Sequence, residues 1–172
     1  METENDQDLT GKIIGGRFEI VRLIGTGGMG AVFEARHQTL PRKFAIKILK
    51  EELSRSRDFV ERFRREAIAA GRIEHPNVVY ITDFGHMNDG SLYLVMEYLE
   101  GIGLDDVLAR NIRLRLSRAI PILAQVADAL DAAHQMQVVH RDLKPENILL
   151  TEVRGRQDVV KICLLYTSDA AD

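Results

Sequence analysis

Strand-forming runs of apolar and polar residues fill most of the first hundred positions. RFEIVRLIG (17–25), GAVFEARH (30–37), KFAIKIL (43–49), VVYITDFGHM (78–87) and SLYLVMEYL (91–99) are rich in β-formers. The first two flank a glycine-rich turn, and Asn88-Asp89-Gly90 joins the last two. One segment breaks the pattern: in SRDFVERFRREAIAAGRI (56–73), Phe59, Phe63, Ala67 and Ala70 recur at helical spacing. After EGIG (100–103), read as a hinge, the period lengthens. LDDVLAR (104–110) predicts a short helix and SRAIPILAQVADALDAAHQM (117–136) a long one. Ser117 is its candidate N-cap, and Pro121 falls near the first turn, where a missing N–H costs least. Ile120, Leu123, Ala127, Leu130 and His134 share one of its faces. The expected class is α+β: a five-stranded antiparallel small lobe with one main helix, then the start of a helical lobe.

Composition changes this picture little. The 172 residues are 45% hydrophobic and 28% charged, ordinary for a globular chain. A net charge of −3 argues against broad nucleic-acid binding, and one cysteine, Cys163, excludes an internal disulfide framework. No apolar run approaches the roughly 20 residues that span a bilayer. The acidic, polar start METENDQDLT resembles neither a secretory signal nor a transit peptide, so residues 1–16 are expected to be a flexible tail.

Chemistry concentrates in three places. Gly25, Gly27 and Gly30 form G-x-G-x-x-G, followed by Val32. Such glycines let a backbone approach phosphate and offer it N–H groups. The dinucleotide-binding version needs a helix next, but AVFEARH reads as a strand. A flap between two strands suits a nucleotide; a plain glycine-rich hairpin is the bland alternative. Lys47 lies in an apolar strand and shares a face with Ala45 and Leu49. A lysine facing inward needs a partner. Glu66 falls on the apolar face of the 56–73 helix and is the economical candidate, unless it is one more solvated charge. The densest stretch is VVHRDLKPENILL (138–150). It crowds His140, Arg141, Asp142, Lys144 and Asn147 into eight residues, on a loop that Pro145 keeps from being helical.

Together these residues resemble a bacterial, eukaryotic-like (Hanks-type) serine/threonine protein kinase over roughly residues 17 to 162. The order matches: glycine-rich loop, Ala45-Ile46-Lys47, helix glutamate, then His140-Arg141-Asp142-Leu143-Lys144-Pro145-Glu146-Asn147. The resemblance implies a protein-kinase-like fold, with ATP and Mg²⁺ as cofactors and a protein as substrate. It implies that the loop from Ile24 through Gly25, Thr26, Gly27, Gly28 and Met29 to Gly30 covers the ATP phosphates. Lys47 would contact the α and β phosphates and pair with Glu66. Val32, Ala45 and Leu149 would sandwich the adenine, Met96 resembles the gatekeeper, and Glu97 and Leu99 would present backbone groups to the adenine edge. Asp142 would accept or orient the substrate hydroxyl's proton, Lys144 would contact the transferred phosphate, and Asn147 would bind a magnesium. Arg141 would meet a phosphorylated activation loop.

An Asp-Phe-Gly string, Asp83-Phe84-Gly85, lies too early for the family's metal triplet and reads as a strand ending in a turn. That triplet belongs after DVVKI (158–162), where the chain has Leu164, Leu165 and Tyr166. CLLYTSDAAD (163–172) matches translation of a transposon adapter used for DNA sequencing libraries, so it is expected to be non-native. The expected divisions are a tail at 1–16, a small lobe at 17–99, a hinge and partial large lobe at 100–162, and the foreign tail. Without the second metal ligand, the chain is expected to be inactive as a kinase and, with an uncovered helix face at 117–136, poorly soluble. A non-catalytic nucleotide-binding pseudokinase or docking fragment is the rival. No nucleic-acid or membrane contact is expected from this stretch. Its location is expected to be cytoplasmic, with an anchor possible only in a longer protein.

Overall fold

The computed structural model describes residues 9–110 and 113–164. The chain divides into two compact units, Met1–Arg64 with Ile81–Tyr98 and Arg65–Tyr80 with Leu99–Asp172.

The first unit is built on an antiparallel sheet of six strands in the order β1-β2-β3-β4-β6-β5. These are β1 (Ile13–Ile14), β2 (Phe18–Gly27), β3 (Gly30–His37), β4 (Lys43–Leu49), β5 (Ile81–His86) and β6 (Leu92–Glu97). The five strands expected from the pattern are all present, and β1 adds a sixth. Ile14 is buried, Gly11 N–H donates to the Ile20 carbonyl (2.8 Å), and Ile20 N–H donates to Lys12 (2.9 Å). Residues 9–16 are thus held by the sheet rather than fraying, because Ile14 has a core to enter. β4 is central and nearly all buried, which explains an apolar run interrupted only by Lys47. One face of the sheet packs Phe18, Ile20, Phe33, Ala35, Phe44, Ile46 and Val95 into a core. The β5–β6 turn forms at Asn88-Asp89-Gly90: Ser91 N–H donates to the Asp89 carboxylate (2.8 Å), and Gly90 takes φ +89°.

After β4 come α1 (Glu51–Arg55), which the pattern did not reveal, and α2 (Arg57–Ala70). Phe59, Phe63, Ala67 and Ala70 are buried as expected, with the Phe59 and Phe63 rings stacked at 6.1 Å.

The second unit contains α3 (Leu104–Arg110), α4 (Leu116–Gln135) and a three-stranded antiparallel sheet. Its strands are β7 (Gly101–Gly103), β8 (Ile148–Val153) and β9 (Arg156–Ile162). The presumed hinge residues 101–103 are therefore a strand, paired with Leu149 to Thr151. Two expectations for the long helix need correction. It begins at Leu116 behind Arg115, with no side-chain cap from Ser117, so Pro121 lies inside the helix. Its buried face is Ile122, Val126, Ala129 and Ala133, while Ile120 and Leu123 are each 61% exposed. The small residues on the buried face let α4 lie close to β9. A polar network fixes this packing. The Gln125 amide accepts from Val160 N–H (3.1 Å) and donates to the Asp158 carbonyl (2.9 Å), and Arg118 grips the Asp158 carboxylate at 2.7 and 2.8 Å. Buried Asn77 donates to the Val160 carbonyl (2.8 Å) and to Gln125 (3.0 Å).

Candidate functional site

The glycine-rich stretch is a β-hairpin. Ile24, Gly25, Thr26 and Gly27 end β2, Gly28 and Met29 turn, and Gly30 and Val32 open β3, with Gly25 opposite Val32 and Gly27 opposite Gly30. Its glycines are needed for two different reasons. A side chain on Gly30 would put its Cβ 2.0 Å from the Ile48 carbonyl oxygen, so the fold itself requires that glycine. At Gly25, Gly27 and Gly28 nothing lies within 4 Å of a Cβ position. No protein neighbour there demands a glycine, and the bare backbone is open to something else.

On the same face of the sheet, Val32 stands directly opposite Lys47, and Ala45 opposite Met96. Cross-strand neighbours of this kind have Cβ atoms about 5 Å apart. Lys47 is only 9% exposed, an unusual position for an ammonium group. Met96 is buried, and Glu97 closes β6 opposite Phe44. The sheet thus gathers Val32, Ala45, Lys47 and Met96 on neighbouring strands.

The second unit holds the other predicted residues. Leu149 lies on β8, opposite Gly103 and Lys161, and Leu99 precedes β7. Residues 140–147 form a loop closed by a 3-10 turn at Pro145–Asn147. His140 is 3% exposed, and burial pushes its pKa down, which keeps the ring neutral at neutral pH. Arg141 adopts φ +60°, a left-handed conformation rare for a side-chain-bearing residue. That reversal lets Asp142 N–H reach back to the His140 carbonyl (2.7 Å). Asp142 and Lys144 form an ion pair at 3.1 Å. The hydrogen bond from Lys144 holds the Asp142 carboxyl below the usual carboxylate range, with Asn147 adding to the effect. Asn147, 6% exposed, donates from its amide to the Asp142 carbonyl at 2.6 Å. Asp142, Lys144 and Asn147 are therefore one hydrogen-bonded cluster. Asp142 remains partly accessible, its side chain 42% exposed.

Glu66 lies on α2 with its carboxylate 3.9 Å from the Arg141 guanidinium. Sequence reasoning had not linked these two residues; their separation along the chain gave no signal. It also passed over Glu34, a charge in the otherwise apolar VFEA of β3. That misplaced charge was the available clue.

Comparison with known proteins identifies the family. The protein kinase domain family model matches residues 18–164. The serine/threonine-protein kinase pkn3 of Myxococcus xanthus is 42% identical over 162 residues, 94% of this chain and 30% of the relative. The serine/threonine-protein kinase PrkC of Bacillus subtilis is 46% identical over 142 residues, 83% of this chain and 22% of its own length. The crystal structure of the Mycobacterium tuberculosis PknI kinase domain superposes with a TM-score of 0.79 at 31% identity, over 90% of this chain and 62% of that one. The chain thus spans less than a third of these curated relatives and about three fifths of the solved domain. With that match and a kinase fold, this chain belongs to the protein kinase domain family, and the relatives named are bacterial serine/threonine-protein kinases.

Proposed function

We propose that this chain carries the ATP-handling and hydroxyl-orienting residues of a serine/threonine protein kinase, acting on protein Ser or Thr in the cytoplasm. The observation that carries this is the convergence of Asp142, Lys144 and Asn147 in one cluster beside a left-handed Arg141. Among the described residues no helix is long and apolar enough to cross a membrane.

The residues suit the groups such a reaction needs. Open space above Gly25, Gly27 and Gly28 leaves backbone N–H groups approachable by phosphate oxygens. Asn147 offers a hard oxygen donor of the class Mg²⁺ takes. Among the described residues no cluster of three or more His, Cys, Asp or Glu gathers. Bound Mg·ATP supplies the phosphoryl group and the charge neutralisation.

The chain's own residues do the rest. By the family resemblance, Lys47 would place a positive charge against the α and β phosphates, and Val32, Ala45 and Leu149 would give the adenine apolar walls. Glu97 and Leu99 would offer backbone groups to the adenine edge. Asp142, kept ionised by Lys144, accepts a hydrogen bond from the incoming hydroxyl and aims its oxygen. A carboxyl with a depressed pKa is a weak base, so orienting the nucleophile is its main service. By the family resemblance, Lys144 would share its charge with the transferred phosphoryl group. The pairing of Glu66 with Lys47 rests on the helix face that carries Glu66 and on the family resemblance.

The test is calorimetric titration of the 172-residue chain with ATP, with and without Mg²⁺. Binding should require Mg²⁺ for full strength, weaken at least tenfold in Lys47→Met, and lose its Mg²⁺ dependence in Asn147→Ala. ATP binding that ignores Lys47, or no binding at all, would overturn the proposal.

A further inference from the structure

A carboxylate is buried on the nucleotide face of the first unit's sheet, and nothing in the proposed function uses it. Glu34 follows Val32 by two residues on β3, so the two point the same way. It stands opposite Ala45 on β4 and opposite Arg22 on β2. The other face of these strands carries the aromatic and aliphatic core.

Glu34 is 5% exposed. A carboxylate so placed must be paired or lose its charge. Arg22 Nη2 lies 2.8 Å from one of its oxygens and Lys43 Nζ 3.0 Å from the other. The Lys43 hydrogen bond is the chief reason its pKa is held below the usual carboxylate range. Both cations also reach Tyr98. Arg22 Nη2 donates to the Tyr98 hydroxyl at 3.1 Å, and Lys43 Nζ sits 5.1 Å from the Tyr98 ring centroid. Tyr98 is thus gripped at its hydroxyl and over its ring by two cations that one buried carboxylate holds in place.

Tyr98 is the residue between Glu97 and Leu99, whose backbone groups we assign to the adenine edge. We infer that Glu34 is a positioning residue for adenine recognition: through Arg22 and Lys43 it fixes Tyr98 and so the backbone on either side. The inference rests on the nucleotide-binding reading above. Glu34 is buried while Arg22 and Lys43 are 55% and 54% exposed, so these ion pairs add little stability, but they set the geometry of the groups they join. A carboxylate flanked by Val32 and Ala45, and spent on holding one tyrosine, fits that use.

The experiment compares calorimetric binding of ATP, GTP and tripolyphosphate, each with Mg²⁺, to the 172-residue chain and to Glu34→Gln. The variant should bind ATP about tenfold more weakly, bind tripolyphosphate within about twofold of the parent, and prefer ATP over GTP less. A merely structural role would weaken ATP and tripolyphosphate alike, and that result overturns the inference, as does unchanged ATP affinity. Should Glu34→Gln fail to fold, Tyr98→Phe decides. It keeps the ring over Lys43 and removes only the hydroxyl that Arg22 holds, and it should show the same ATP-selective loss at smaller size. Equal effects on both ligands, or none, would again overturn the idea. If the parent chain binds none of the three ligands, the proposed function falls first and this inference with it.

Discussion

Asp83 and Asp142 each sit in a short string that invites a catalytic reading, and each faces a cation. Their surroundings differ in what they are used for. Residues 83–85 are engaged within the sheet. Asp83 is paired with Arg17 and accepts the Phe84 N–H at 2.9 Å, and Phe84 is in register with Leu94. Gly85 is there because a Cβ would lie 2.6 Å from the Tyr93 hydroxyl. At residues 140–147 the polar groups are organised but not exhausted. Asn147 anchors the backbone of Asp142, Arg141 accepts a strained φ, and Asp142 still presents an accessible carboxylate. A decoy is consumed by its own fold, whereas a site holds reactive groups in place and leaves them available.

The sharpest way to break this contrast is Gly85→Ala. The added methyl meets the Tyr93 hydroxyl at 2.6 Å and its ring carbons at 2.8 and 3.0 Å, and Tyr93 is buried. Overpacking of this kind costs about 1–3 kcal/mol, readable as a lower urea midpoint. The same substitution on a Tyr93→Phe background should cost less, because the nearest clashing atom is gone. A neutral Gly85→Ala would mean the glycine was not kept for the fold, and would reopen a ligand role for the 83–85 stretch.

Asn147→Ala is the counterpart in the loop, with a smaller effect on stability. Removing a buried amide that donates at 2.6 Å to the Asp142 carbonyl leaves that acceptor unpartnered, at a cost of about 1–2 kcal/mol. Unlike Gly85→Ala, it should also impair Mg·ATP binding. Stability loss with intact Mg²⁺ dependence would make the loop as purely structural as the 83–85 stretch.

How much of this was legible in the sequence follows the same division. The strands of the first unit were readable because β4 is a central, twice-covered run and Asn88-Asp89-Gly90 marks its own turn. The loop at 140–147 was readable because so many polar groups cannot crowd between apolar flanks without purpose. The face of α4 was not. The helix carries two apolar stripes, one through Ile120 and Leu123 and one through Ile122 and Val126, and periodicity does not rank them. The stripe with the smaller residues won because β9 must come close enough for Gln125 to bond its backbone. β1 was hidden because two residues give no period, and β7 because Gly101 and Gly103 look like a hinge. At Gly101 a Cβ would lie 2.7 Å from the Leu150 carbonyl, so close strand pairing, not flexibility, explains that glycine. Residues 165–172, expected to be foreign, lie outside the described residues; Cys163 and Leu164 lie within them, and Leu164 is buried.

Charge tests the contrast without disturbing the fold. Lys144 is the main reason the Asp142 carboxyl titrates below its usual range. In Lys144→Met the Asp142 midpoint should rise toward that range, as followed by carboxyl-carbon NMR. The sign for stability is fixed. A depressed folded pKa adds stability above the unfolded carboxylate's pKa, and that contribution fades as pH falls through the folded value. Lys144→Met should therefore remove a small stabilising contribution near neutral pH and none in strong acid. An unmoved midpoint would show that Lys144 does not tune Asp142.

The smallest expected effect is on the other aspartate. Arg17→Ala breaks the Arg17–Asp83 pair, whose side chains are 56% and 29% exposed. Exposed pairs of this kind contribute roughly 0.2–1 kcal/mol, and salt screens them. The melting temperature should fall slightly at low ionic strength, and the difference should shrink in high salt. Arg17 also lies 5.4 Å from the Phe18 ring, so a residue of the loss should persist in salt as lost packing on the ring. ATP binding should not change. If Arg17→Ala instead weakened Mg·ATP, Asp83 would be doing more than closing a sheet edge, and the line drawn between the two aspartates would have to move.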